Sequence, residues 1–266
     1  MTTNNSQALD PQTVKSLVAE WQMCRHENLP GLFLACHATD GTTDEYQTER
    51  IVTFVLNNAQ MEEIIKLGEA MFLESENECD ETKKPRFLTH VGLKDGYLNA
   101  DKIGLPYFTL FLQIRNDDSG RYDNCFELKW QPNPSFPTNS YESPLSGKDA
   151  IPGASAFLFV HKWLETPVRD LAKVFEATAY NLGRRIKGFR YPDEDTSYIL
   201  EAMKEENSSN TGVICLHLGS GITVDSHPYA FRPILEITQV KPGVNAAADG
   251  GGGGKFFDFA SPVPPY

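Results

Sequence analysis

Phe87-Leu88-Thr89-His90-Val91-Gly92 is followed, after a short loop, by Pro106-Tyr107-Phe108-Thr109-Leu110-Phe111-Leu112-Gln113-Ile114. Further along, Ile214-Cys215-Leu216-His217-Leu218-Gly219 is followed in the same way by Pro228-Tyr229-Ala230-Phe231-Arg232-Pro233-Ile234-Leu235-Glu236-Ile237. Each stretch reads as a strand with His-x-Gly, a loop, Pro-Tyr and a second strand, and a helical segment precedes each, at 61–72 and 196–204. Helices followed by antiparallel-capable strands, twice over, place the chain in the α+β class. The expectation is helices plus largely antiparallel sheets, in two related halves packed pseudo-symmetrically.

Working outward, residues 109–115 and 125–130 flank Asn116-Asp117-Asp118-Ser119-Gly120 and read as a hairpin. Prolines 132, 134, 137, 144 and 152 follow, so 132–152 reads as a linker or crossing loop between an N-terminal half, 1–131, and a C-terminal half, 153–244. Upstream, Asp10-Pro11 is a helix start with Val14, Leu17, Val18, Trp21 and Cys24 as its apolar stripe. Residues 51–56 read as a strand, and Asn58 as the cap of a helix with Met61, Ile64, Ile65, Gly68, Met71 and Phe72 on one side. Residues 154–164 are apolar almost all round, which predicts a buried helix. Thr166-Pro167 restarts a helix whose stripe, Val168, Leu171, Ala172, Phe175, Ala179, Leu182 and Ile186, runs to a stop at Gly188. Pro192 and Asp195 precede a shorter helix through Met203.

The chain ends with a distinct segment, 245–266, where five glycines at 250–254 act as a flexible tether. Phe256, Phe257, Phe259 and Tyr266 then read as aromatic anchors for another subunit or another protein, with little contact to their own core.

The 266 residues are 40% hydrophobic, with 16 Phe and 10 Tyr, which is ample for a core. A net charge of −12 argues against a whole-molecule nucleic-acid footprint. Five cysteines, an odd number with no CxxC pair, suit reduced thiols. The polar first residues do not resemble a signal peptide, and no apolar run approaches the ~20 residues a membrane span needs. A soluble, acidic, cytoplasmic protein is expected, with no membrane association.

Chemistry-bearing patterns are few. In Phe126-Glu127-Leu128-Lys129-Trp130, Glu127 and Lys129 share one face of a strand, with Asp117 and Asp118 just across the hairpin. This acid-then-Glu-x-Lys pattern resembles the core of the restriction-endonuclease-like nucleases. The resemblance implies that the acids hold Mg²⁺ and that the lysine polarises the attacked phosphate or water. The alternative is a solvated Glu/Lys face. His90 and His217, the latter near Cys215, read as core histidines or as a symmetric or metal-ligating site. Arg184, Arg185, Lys187 and Arg190, interleaved with aromatics, read either as a nucleic-acid contact or as cations at a helix end. Apart from Mg²⁺ under the nuclease reading, no metal or cofactor is expected. The function that follows is a non-catalytic binding or self-assembly protein whose tail docks on a second copy or another protein. The alternatives are a Mg²⁺-dependent nuclease and a small-ligand binder between the halves.

Overall fold

The Asp10 carboxylate accepts the Thr13 amide at 2.9 Å and Pro11 occupies the first turn, so helix α1 (Pro11–Met23) begins where its capping signals stand. The computed structural model describes residues 7–24, 29–38, 46–94, 107–117, 120–131, 150–151, 153–175, 185–208, 211–221, 230–239, 255–257 and 261–263. After α1 come α2 (Leu29–Leu32), β1 (Leu34–Ala38), β2 (Tyr46–Arg50), β3 (Thr53–Leu56), α3 (Asn58–Glu78), β4 (Arg86–Lys94), β5 (Tyr107–Arg115) and β6 (Cys125–Gln131). The second part carries β7 (Ala150–Ile151), α4 (Gly153–Glu165), α5 (Leu171–Val174), β8 (Gly188–Arg190), α6 (Asp193–Glu206), β9 (Gly212–Ser220), β10 (Phe231–Gln239), β11 (Lys255–Phe257) and β12 (Ser261–Val263). The class is α+β.

Strands β1 and β2 pair with each other, and the other ten form one sheet in the order β12-β8-β4-β5-β6-β3-β9-β10-β11-β7. Its ladders are antiparallel. Only residues 258–260 separate β11, near one end of that order, from β12 at the other. So few residues span about 15 Å at most, so the sheet curls until its two ends approach each other. Segments 1–131 and 153–244 share this sheet: β3 lies between β6 and β9, and β8 lies beside β4. Helices α1 and α4 lie on the face that bears Gly92 and Gly219, and α3 and α6 pack on the opposite face.

Two runs of elements follow one order, β3-α3-β4-β5-β6 and β8-α6-β9-β10-β11, and the ladders match residue for residue. His90 stands opposite Gly188 on one side and Phe111 on the other, while His217 stands between Thr53 and Ile234. Counting from the histidines, Ala230 rather than Tyr229 is level with Tyr107, and Tyr229 lies outside the described residues. The helices match too. The backbone and Cβ of Leu17 would lie 3.3 Å from a Cβ on Gly92, and the Phe159 Cβ would lie 3.1 Å from one on Gly219. Both glycines therefore let a helix approach the sheet more closely than most side chains would allow. Four residues after each contact comes a tryptophan. The indole of Trp21 donates to the Ile186 carbonyl at 2.6 Å, and that of Trp163 donates to the Ile51 carbonyl at 2.9 Å.

An arginine precedes each of these isoleucines. Arg185 donates to the carbonyls of Trp21 (2.5 Å) and Cys24 (2.8 Å), and its guanidinium lies 4.8 Å from the Trp21 ring centroid. Arg50 donates to the carbonyls of Trp163 (2.8 Å) and Thr166 (2.9 Å) and lies 5.9 Å from the Trp163 ring. In both cases a cation satisfies the orphan carbonyls at a helix C-terminus and lies over an aromatic face.

Four sequence expectations change. Asn57, not Asn58, caps α3, in a reciprocal capping box with Gln60. Of the helix expected from Thr166 to Gly188, the described residues form a 3₁₀ turn, Val168–Asp170, and α5, and 185–190 is extended, because β8 pairs β4; Ala179 and Leu182 lie outside the described residues. α4 buries Ala156, Val160 and Trp163 but leaves Phe157, Leu158 and Leu164 exposed. The free-standing tail is overturned for Phe256 and Phe257, which are 3% and 1% exposed in a strand between β10 and β7. Burying each ring contributes about 1.5–3 kcal/mol, and β11 pairs an edge that β10 would otherwise leave open. Phe259, Tyr266 and the glycine tract lie outside the described residues.

Candidate functional site

Matched positions in the two halves carry different chemistry at two places, and the acidic hairpin singled out by its sequence adds one more. The first is His217. Its Nδ1 lies 2.9 Å from the Thr53 hydroxyl and its Nε2 lies 2.7 Å from a Glu236 carboxylate oxygen. Thr53, His217 and Glu236 are all buried, on three neighbouring strands. Hydroxyl, imidazole and carboxylate are connected as a proton relay requires. Yet Thr53 is 2% exposed in mid-sheet, which closes the approach of any substrate to its oxygen. The group as built ties β3, β9 and β10 together. Burial, with Glu236 nearby, pushes the Cys215 thiol well above its ordinary range, so Cys215 is not a ready nucleophile at neutral pH.

At the matched place, His90 Nε2 lies 2.8 Å from Gln113 Oε1. The Gln113 amide nitrogen donates to the carbonyls of Arg121 (2.9 Å) and Asp123 (2.7 Å), so its oxygen must accept and His90 carries its proton on Nε2. His90 Nδ1 faces Gly188, where a Cβ would come within 3.1 Å of it. Thr53 fills that place in the other half. Tyr122 meets the imidazole edge-on at 5.0 Å. Burial holds the His90 pKa down at about 4, with Gln113 opposing and Arg115 and Lys187 adding to the shift, so this ring is neutral at physiological pH.

The second place is the acidic hairpin. Both Glu127 oxygens bind the Lys94 ammonium, at 2.8 and 2.9 Å. Lys129 is exposed on the same strand face, and Glu127 stands level with Phe111. The end of β5 at Arg115 is already about 13 Å further along at roughly 3.3 Å per residue, and Asp117 lies beyond it. Carboxylates sharing Mg²⁺ approach it to about 2.0–2.1 Å, so Asp117 and Glu127 cannot hold one ion. The nuclease constellation is therefore not assembled from these residues, and Asp118 lies outside the described ones. Among the described residues no group of three His, Cys, Asp or Glu side chains is placed to hold a metal.

The basic cluster also resolves into structural contacts. Arg185 caps α1, a different helix from the one its sequence position suggested. Arg190 binds the Asp193 carboxylate at 2.7 Å. Burial lowers the pKa of the half-buried Lys187, with Arg115 adding to the effect. Arg184 lies outside the described residues. Where β4, β8 and α6 meet at the seam of the halves, Thr89, Tyr191, Asp195 and Thr196 are almost fully buried polar residues.

The third place is the outer face of α4, which the sequence pattern assigned wholly to the core. Leu158 is 63% exposed, with Phe157 (40%) and Leu164 (41%) on the same helix and Val168 (37%) in the turn after it. His161 stacks on Phe157, planes 7° apart, and pairs with Glu165 at 3.1 Å. Aligned through the tryptophans and their glycine contacts, α1 presents Lys15, Ser16 and Gln22 at the places of Phe157, Leu158 and Leu164, all exposed to solvent.

No family model matches the chain, and neither curated proteins nor solved structures yield a match. Among the described residues no helix is long and apolar enough to cross a membrane.

Proposed function

We propose that this chain is a non-catalytic binding protein built from two copies of one αβ unit, and that it docks a protein partner through the outer face of α4. The observation that supports this is the difference between the two matched helices. The scaffold holds α1 in place with Lys15, Ser16 and Gln22 at the three matched places, with Met23 the exposed apolar residue at its end, so the fold does not require Phe157, Leu158 and Leu164 on α4. Exposed apolar clusters on a body of this kind mark contact surfaces. The proposal moves the docking role from the terminal segment, whose Phe256 and Phe257 serve the core, to a helix. A cytoplasmic setting is part of the same proposal and rests on the odd number of cysteines without a CxxC pair.

The test is to give α4 the residues of its sibling, as Phe157→Lys, Leu158→Ser and Leu164→Gln together, and to measure the denaturant midpoint. If the face serves docking, the variant unfolds at the same midpoint or a higher one. A loss comparable to core truncation, about 2–5 kcal/mol, would show that these side chains serve the fold and would end the docking reading.

A further inference from the structure

We propose that the occupant of the α4 face is a second copy of this chain, paired about a two-fold axis near His161. This rests on the docking reading above and names the partner. The argument is one of charge. α3 carries six acids, Glu62, Glu63, Glu69, Glu74, Glu76 and Glu78, against Lys66 alone. α6 carries another six, Asp193, Glu194, Asp195, Glu201, Glu205 and Glu206, against Lys204 alone. Asp195 is buried, and Arg86 and Arg190 pair with Asp193, Lys83 with Glu78 and Lys255 with Glu205, yet the remaining acids leave an acidic face, and it lies on the side of the sheet opposite α4.

α4, the turn after it and α5 carry Lys162, Arg169 and Lys173 against Glu165 and Asp170, which is close to balance. A basic partner would be drawn to the α3/α6 face. Two copies meeting through α4 keep their acidic faces apart and bring balanced surfaces together, the arrangement that avoids like-charge repulsion. An isologous contact needs a self-complementary patch. In an antiparallel pairing centred at His161, Leu158 of one copy meets Leu164 of the other, and the two His161-Phe157 stacks lie side by side. The helix is only about 20 Å long, so the contact falls at the small end of stable interfaces and the dimer is a weak, concentration-dependent one.

Sedimentation equilibrium of the full-length protein through the micromolar range tests this. The wild type should move from 29.7 kDa towards twice that mass as concentration rises. Leu158→Glu, at a site already mostly in water, should weaken the association by about tenfold or more. Raising the salt should not weaken it, because the contact is apolar. A wild type that stays monomeric throughout overturns the second copy, as does a dimer that survives both Leu158→Glu and Leu164→Glu. If the wild type is monomeric while the sibling-sequence variant keeps full stability, the partner is another protein and the docking reading stands. If that variant unfolds, the docking reading itself fails.

Discussion

Phe33 and Phe175 stack face to face, with centroids 5.2 Å apart and planes 7° from parallel, at the point where the two halves meet. Each also meets the tryptophan of the other half edge-on, Phe33 with Trp163 at 5.4 Å and Phe175 with Trp21 at 5.2 Å. Phe108 with Trp21 (5.6 Å) and Phe231 with Trp163 (6.1 Å) extend the cluster outward in matching fashion. Removing Phe33 or Phe175 to Ala deletes a ring that serves both halves. Each change should cost about 3–5 kcal/mol and lower the unfolding midpoint of the whole chain in one transition. Two separate transitions would contradict a shared core.

The arginines make a matched pair of tests. Arg50→Ala and Arg185→Ala each remove two hydrogen bonds to a helix C-terminus and one cation over a tryptophan. Each should destabilise by about 1–3 kcal/mol in chemical denaturation. A large loss at one and none at the other would show that the matched geometry is not matched energy.

The histidines separate by pH. His90 is neutral in the fold down to about pH 4 but titrates in the unfolded chain near 6.5. Between those values the unfolded state binds the extra proton, so stability falls as pH is lowered through that window, by about 3 kcal/mol in total from this group. His90→Gln should flatten that part of the stability profile. An unchanged slope would mean that other groups carry it.

Glu236 can be judged by its counterpart. Gln113 holds His90 with an amide oxygen, so Glu236→Gln should keep the His217 contact and cost little. Glu236→Leu removes the acceptor of a buried imidazole and should cost about 1–3 kcal/mol in thermal or denaturant unfolding. Equal effects of the two changes would remove the hydrogen bond as the reason for the residue.

The fold class, the His-x-Gly strands and the helices before them were legible because apolar alternation and helical spacing are local signals. The depth of the match was not. Loops of different length shift the offset between partners from element to element, so Arg50-Ile51 and Arg185-Ile186, or Trp21 and Trp163, do not line up by counting. The tail misled because a glycine tract followed by aromatics reads as a tether and anchors, and nothing local says that β10 needs a partner strand. The α4 face was read as core because an apolar helix normally is, and only the packed structure shows that Phe157, Leu158 and Leu164 point away from the sheet. The Glu-x-Lys pattern on β6 was visible, but its partner Lys94 came from a strand whose register no local pattern gives.

The claim that α4 diverged from α1 to become a contact surface is tested most directly by its own internal control. A photo-crosslinking residue is placed at position 158 in one full-length protein and at position 16, the matched place on α1, in another. Both are irradiated in cells at native expression. The expected result is one discrete adduct from position 158, at the mass of two copies of the chain, and none from position 16. Equal patterns from both positions, or none from either, would contradict the account.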